Sequence, residues 1–168
     1  PSRKERAAKT VNAALRGGVL AGAVAGIAWL LAVALSGTVF FLQSGSFNNL
    51  GGGVFDVRVD RGINSNGGTN LFSNAGTVRK SAGTGLSTVG VPFNNNGTVE
   101  VQTGTLEFSN GGTHTGPFNV SQGATLEFGG GTHTLQASSN INAASAAVSF
   151  SGGTVNVGGS YNAGTTTT

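Results

Sequence analysis

The sequence predicts a mostly β protein, a parallel β-helix (β-solenoid) of about six coils preceded by a single transmembrane α-helix. Three observations point there. An uncharged apolar run follows a basic arm, a motif then returns about every twenty residues, and apolar and polar residues alternate within each return.

Residues 1–16 form the basic arm. Arg3, Lys4, Arg6, Lys9 and Arg16 against Glu5 give +4, whereas from Gly17 onward Arg58, Arg61, Arg79 and Lys80 face Asp56, Asp60, Glu100, Glu107 and Glu127, giving −1; the sum is the +3 of the 168-residue chain. A nucleic-acid binder spreads Lys and Arg over its docking face. Confinement of the positive charge to one arm beside an apolar run argues against a nucleic-acid partner and reads as membrane-topology charge. Ser2-Arg3-Lys4-Glu5 is a capping-box pattern, so the helix is expected to begin ahead of the bilayer.

Residues 17–43 read as the transmembrane helix. Val19 to Leu42 is almost wholly apolar, and two dozen residues at 1.5 Å rise span roughly 36 Å, enough for a hydrocarbon core of about 30 Å with some tilt. The positive-inside bias keeps the arm cytoplasmic and puts the rest on the periplasmic side of the inner membrane. A cleaved secretory signal competes with this reading, because Ala32-Val33-Ala34 matches an A-x-A site. The run continues past that site through Phe40, Phe41 and Leu42, longer than a usual apolar signal core, which favours a retained anchor. Gly18, Gly22 and Gly26 stack on one helix face with Ala21 and Ala25 alongside, a surface that permits close approach of other transmembrane helices, although small residues are also ordinary in membrane spans. Arg16 and the pair Phe40 and Phe41 bracket the span at its two interfaces. Trp29 falls mid-span, against a partner helix or lipid.

Residues 44–49, opening Ser44-Gly45-Ser46, read as a linker, and residues 50–168 as the extracytoplasmic solenoid. Phe72-Ser73-Asn74-Ala75-Gly76-Thr77-Val78 returns as Phe93-Asn94-Asn95-Asn96-Gly97-Thr98-Val99. Thr105-Leu106-Glu107-Phe108 returns as Thr125-Leu126-Glu127-Phe128, and Gly112-Thr113-His114-Thr115 as Gly131-Thr132-His133-Thr134. Period-two alternation over such short runs means half-buried strands, and the Gly-Gly, Asn-Gly and Ser-Gly clusters between them mean turns. One unit holds too few apolar side chains for a core, so successive units must stack. The expected core is Phe72, Phe93, Val99, Val101, Leu106, Phe108, Leu126, Phe128, Phe150, Val155 and Val157, with Phe108 over Phe128 and Leu106 over Leu126. Asn is expected to form side-chain ladders at the turns. An antiparallel sandwich ranks second, because near-identical repeats imply identical environments.

The search for chemistry is brief. Cys is absent, which excludes disulfides and thiolate sites. His114 and His133 occupy equivalent repeat positions, but two imidazoles fall short of the four ligands of a structural zinc site, so they read as a solvent-facing Thr-His-Thr ladder. Glu107 and Glu127 likewise read as an outward row rather than a glycosidase pair, which needs a substrate cleft. No nucleophile elbow, phosphate loop or dinucleotide fingerprint occurs; no catalytic, metal or cofactor site is expected. Arg58, Arg61, Arg79 and Lys80 form the basic group nearest the membrane exit, available to lipid headgroups or an acidic partner.

The stretch from Gly97-Thr98-Val99-Glu100-Val101 through Gly131-Thr132-His133-Thr134-Leu135 resembles the repeats of bacterial secreted surface proteins, including autotransporter and filamentous-haemagglutinin-like passengers. The resemblance covers roughly residues 72–157 and implies a right-handed β-helix, an envelope or extracellular address, and an adhesive or scaffolding role. The sequence departs from them in showing no C-terminal membrane β-barrel, in being far shorter and in a Thr165–Thr168 tail with no evident cap, so it is expected to be either a truncated fragment or a small anchored module that borrows the repeat. The expected function is therefore non-enzymatic: an accessory or scaffold subunit of a larger bacterial membrane assembly. A secreted adhesin-like passenger that meets carbohydrate or another surface ligand is the alternative, and a polysaccharide-active β-helix enzyme comes third.

Overall fold

The computed structural model describes residues 40–42 and 44–168. The basic arm and residues 17–39 of the expected membrane helix, with Arg16, Gly18, Ala21, Gly22, Ala25, Gly26 and Trp29, lie outside the described residues. Those described form no helix, only strands: β1 (Phe40–Leu42), β2 (Gly45–Asn49), β3 (Val54–Val57), β4 (Ile63–Ser65), β5 (Asn70–Asn74), β6 (Thr77–Lys80), β7 (Leu86–Gly90), β8 (Phe93–Asn95), β9 (Thr98–Val101), β10 (Thr105–Phe108), β11 (Gly112–His114), β12 (Phe118–Val120), β13 (Thr125–Phe128), β14 (Thr132–Leu135), β15 (Asn140–Phe150), β16 (Thr154–Val157) and β17 (Ser160–Thr167).

The pairing follows from the period. Strands three apart in sequence pair in parallel until the long β15 takes the place of two: β2, β5, β8, β11, β14 and then β16 make one sheet, and two further rows, β3-β6-β9-β12 and β1-β4-β7-β10-β13, merge through β15. Each coil therefore contributes three strands, and the chain winds a parallel β-solenoid of about six coils. Every pairing described is parallel, which excludes the antiparallel sandwich. Leu106 lies opposite Leu126 and Phe108 opposite Phe128, as the repeat predicts.

Alternation decides what goes inside. In Thr-Leu-Glu-Phe and Thr-Val-Glu-Val the second and fourth residues are buried and the others half-exposed. The expected core residues Phe72, Phe93, Val99, Val101, Leu106, Phe108, Leu126 and Phe128 are fully buried, joined by Val78, Val89, Phe118, Ile141 and Val148. Rings pack within and between rows: Phe72 meets Phe93 of the next coil edge-on at 5.0 Å, and Phe93 lies nearly parallel to Phe108 of the other sheet at 4.5 Å. Such pairs add about 0.5–1.5 kcal/mol beyond the area they bury.

The corners carry the second stabilising feature. Asn49, Asn74 and Asn95 lie in one row and point inward. Asn49 Nδ2 donates to Asn74 Oδ1 at 2.7 Å, and Asn74 Nδ2 to Asn95 Oδ1 at 2.8 Å. The Nδ2 groups also donate to the carbonyls of Thr77, Thr98 and Pro117 on the next coil. Gly76 and Gly97 follow because a Cβ at either would strike the corner carbonyl of the preceding coil, Gly53 or Gly76. The expected Asn ladder is thus present, and it is buried.

Three expectations are corrected. Residues 45–49 are strand β2, paired with β5 over its whole length, so the solenoid begins before residue 50 and these residues are not a linker. Phe40 and Phe41, expected at the end of a membrane helix, belong to β1, which pairs with β4. Aromatic and β-branched residues after Ser36-Gly37-Thr38 suit a strand better than a helix end. Val157 is 43% exposed and Val155 only partly buried, because β16 is the edge of its sheet among the described residues, and Phe150 is only partly buried at the end of β15, where the pairing with β17 stops at Ser149.

Asn74→Ala removes the middle amide of the buried ladder and leaves groups on both neighbouring coils without partners. The expected cost is about 3 kcal/mol in urea unfolding. Asn142→Ala, in an exposed amide pair with Asn119, is expected to stay within about 0.5 kcal/mol of the parent.

Candidate functional site

The sequence puts His114 and His133 on the outer face, and the structure puts both inside, fully buried. They are not opposite each other either. Gly112 pairs with His133, and His114 pairs with Leu135. Three residues (109–111) separate Phe108 from Gly112 and four (129–132) separate Phe128 from His133, so the corner after β13 is longer by one and the Gly-Thr-His-Thr motifs fall two residues out of step. A two-residue shift keeps the same side inward.

Gly112 makes the geometry possible. It has φ +144°, and a Cβ there would collide with the Phe93 carbonyl. The His133 ring occupies the neighbouring interior and meets His114 with ring centroids 5.3 Å apart and planes 20° apart. His114 Nε2 lies 3.1 Å from His133 Nδ1, and His133 Nε2 lies 3.1 Å from the Phe108 carbonyl oxygen. A carbonyl only accepts, so His133 carries its proton on Nε2, its bare Nδ1 accepts from His114 Nε2–H, and His114 Nδ1 is left as a lone pair. That nitrogen is buried and has no hydrogen-bond partner. Burial pushes the His114 imidazole down to about 3 from 6.5, helped by the neighbouring His133, and burial also lowers His133 against the opposing pull of the Phe108 and Gly130 carbonyls. Both rings are therefore neutral at pH 7.

Glu107 and Glu127 lie opposite each other on the outer face, as expected. Thr88 Oγ1 donates to Glu107 Oε2 at 2.7 Å, and Ser151 donates to Glu127. The row reads Thr88, Glu107, Glu127, Ser149 across adjacent strands, with no cation in it.

The basic group near the first coil divides. Arg79 Nε pairs with Glu100 at 2.7 Å, its neighbour on the next strand. Lys80 is fully buried at a row position held by Val57 and Val101 in the adjoining coils. Its Nζ donates to Asp60 Oδ1 at 2.9 Å, Ser87 Oγ at 2.9 Å and the Ala82 carbonyl at 3.2 Å, using all three protons. The hydrogen bond from Lys80 holds the Asp60 carboxyl below its usual range, with further help from the Gly85 backbone. Arg58 and Arg61 alone of the four remain exposed. Burial of Lys80 left no sequence signal beyond its place in the Thr-Val-Arg-Lys copy of Thr-Val-Glu-Val, where alternation turns the fourth residue inward.

The hollows among the described residues include two of note. One of about 10 Å³, lined by Phe55, Ile63, Val89 and Leu106, has room for about one water molecule. The other, about 340 Å³, opens at the exposed end between Phe150, Val155, Val157 and Thr168. Among the described residues no group of three or more His, Cys, Asp or Glu converges on a point, and no helix is long and apolar enough to cross a membrane.

The fold and these rows define a β-solenoid with a ladder-filled interior and flat polar faces. Comparison with known proteins found no matching family model, no matching curated protein and no matching solved structure.

Two outcomes follow from this geometry. Gly112→Ala is expected to cost about 3 kcal/mol or more, from positive-φ strain and the Phe93 collision, read as a fall in the urea midpoint. Asp60→Asn is expected to lower that midpoint because the ammonium stays buried with only neutral acceptors. Adding Lys80→Met, which restores an apolar side chain to an apolar row, is expected to recover part of the loss, so the double variant outlasts the single one.

Proposed function

We propose that this chain is a non-enzymatic structural and interaction protein: a β-solenoid held outside the cytoplasm by its apolar N-terminal segment, acting as an accessory or scaffold subunit of a larger bacterial membrane assembly. The observation that carries this reading is the direct abutment of that segment on the first strand. With Phe40–Leu42 given to β1, the apolar residues 19–39 still span about 31 Å as a helix, enough for a bilayer core. The Gly18/Gly22/Gly26 face offers close packing to other membrane helices. The flat, ladder-filled coils supply a rigid body with polar faces rather than a substrate cleft. Of the side chains weighed for chemistry, Glu107 and Glu127, the glycosidase-like pair, stand in a surface row, and the two imidazoles weighed for a metal face the interior.

One observation favours a second reading. The apolar residues beyond Ala34 supply strand β1, so their presence no longer requires a membrane. Cleavage after Ala34 would free the intact solenoid as a secreted, adhesin-like module meeting carbohydrate or another surface ligand. Intact-mass analysis of the mature chain, with fractionation of membranes, separates the two. The anchored reading expects residues ahead of Ala34 to be retained and the protein to run in mild detergent at a size above its own 16.6 kDa plus micelle. A mature chain starting at Leu35 in the soluble fraction overturns it in favour of the secreted module.

A further inference from the structure

We propose that the buried His114–His133 pair is an acid-release latch that holds the last coils, β14 onward, on the rest of the solenoid at neutral pH and lets them go as the surroundings acidify. This rests on the geometry of the pair and is independent of how the chain is attached to a membrane.

The pair sits where a stacked array is easiest to open. A solenoid coil contacts only its neighbours, so terminal coils separate without disturbing the remainder. His114 belongs to β11 and His133 to β14, and their hydrogen bond crosses that interface. Beyond it β16 and β17 are largely exposed, so the last coils are held by β14 on β11 and by β15, whose Ile141, Ala143 and Val148 are buried where it pairs with β12 and β13.

The hydrogen-bond chain accepts no further proton. It runs from His114 Nε2–H to His133 Nδ1, and from His133 Nε2–H to the Phe108 carbonyl. An added proton has two places to go. On His133 Nδ1 it puts two donors face to face; on His114 Nδ1 it makes a cation with no acceptor. The surroundings offer no countercharge, and besides the Phe108 carbonyl only that of Gly130 favours a protonated His133, a pull that burial outweighs. The pair is enclosed by Phe93 on β8, Phe118 on β12 and Phe128 on β13, with Phe108 on β10 supplying its carbonyl. Asn95 of β8 and Leu135 of β14 flank His114 in its row, and Val155 of β16 flanks His133. None is a carboxylate. Glu107 on β10 and Glu127 on β13 alternate to the outer face, and the Lys80 ammonium is bound to Asp60. Protonation is thus accommodated by opening the β11–β14 interface to water.

The pH window is set by the imidazoles. In the unfolded chain they bind protons below about 6.5, while in the folded chain His114 does so only near 3. Stability is therefore complete above about pH 6.5 and falls as pH drops below it. At about pH 4.5, His114 alone raises the opening constant about a hundredfold. Asp60, whose folded value lies below 3.8, loses its contribution only at lower pH, so the window between about 4.5 and 7 belongs to the histidines.

Amide hydrogen exchange on the full chain in mild detergent, corrected for intrinsic rate, tests this at about pH 7.0 and 4.5. The opening constant of β14–β17 is expected to rise by about a hundredfold or more, that of β5–β8 by less than about threefold, and His114→Leu with His133→Phe is expected to abolish the rise. In that double variant the Phe108 carbonyl keeps its donor from Gly129 N. An unchanged β14–β17 in the parent, or a rise that persists in the double variant, overturns the latch. Should the variant fail to fold, imidazole NMR of the parent decides: rings silent through pH 6.5 while the solenoid is folded support it, and rings that titrate near 6.5 with the fold intact overturn it.

Discussion

Everything in this fold depends on inward side chains of successive coils lying in register, because no single coil has an interior of its own. The backbone ladder sets the spacing at about 4.8 Å, and the rows must then be filled with groups that accept a like neighbour above and below. Phenylalanine does so by successive edge-on contacts, as along Phe47, Phe72 and Phe93, while a parallel contact joins Phe93 to Phe108 of the other sheet. Asparagine does so because an amide is donor on one side and acceptor on the other, so Asn49, Asn74 and Asn95 repeat without conflict.

The rows also show what happens when a group lacks that symmetry. Lys80 enters a valine row, and it is tolerated because Asp60, Ser87 and the Ala82 carbonyl accept all three of its protons. Imidazole has one donor and one acceptor when neutral, and two in sequence make a chain that needs an acceptor at one end and a donor at the other. The Phe108 carbonyl supplies the first; nothing supplies the second. The asparagine row changes to His114 after Asn95 and then to Leu135 and Val157. The imbalance therefore sits at the place where a polar row becomes apolar.

The coil architecture was legible from alternation and repetition, and the register of β10 on β13 could be read directly from two copies of Thr-Leu-Glu-Phe. That method failed at Gly-Thr-His-Thr because the match compares letters, whereas register follows the number of residues spent turning the preceding corner. The buried amides, imidazoles and ammonium were harder to place for another reason: polar residues usually face water, and only their position in the alternation says otherwise. His133 next to Leu135, and Lys80 after Val78, each fall on the inward beat. At the N-terminal side, hydropathy alone could not tell the expected membrane span from a solenoid strand. Phe40–Leu42 is apolar enough for either, and pairing with β4 is what assigns it.

Charge is distributed along the axis as unevenly as the interior. Asp56, Asp60, Arg79, Lys80 and Glu100 lie in the early coils and mostly neutralise one another there, and no charged residue follows Glu127. The later coils present Thr, Ser and Asn rows instead, such as Asn119, Asn142 and Asn162 in register on one face. Beyond Glu127 the side chains add nothing to long-range steering, which requires net charge. Any partner of the later coils must be recognised by short-range hydrogen bonding to regularly spaced side chains. Such recognition depends on the rows staying in register, and so on the same interior packing that builds the coils.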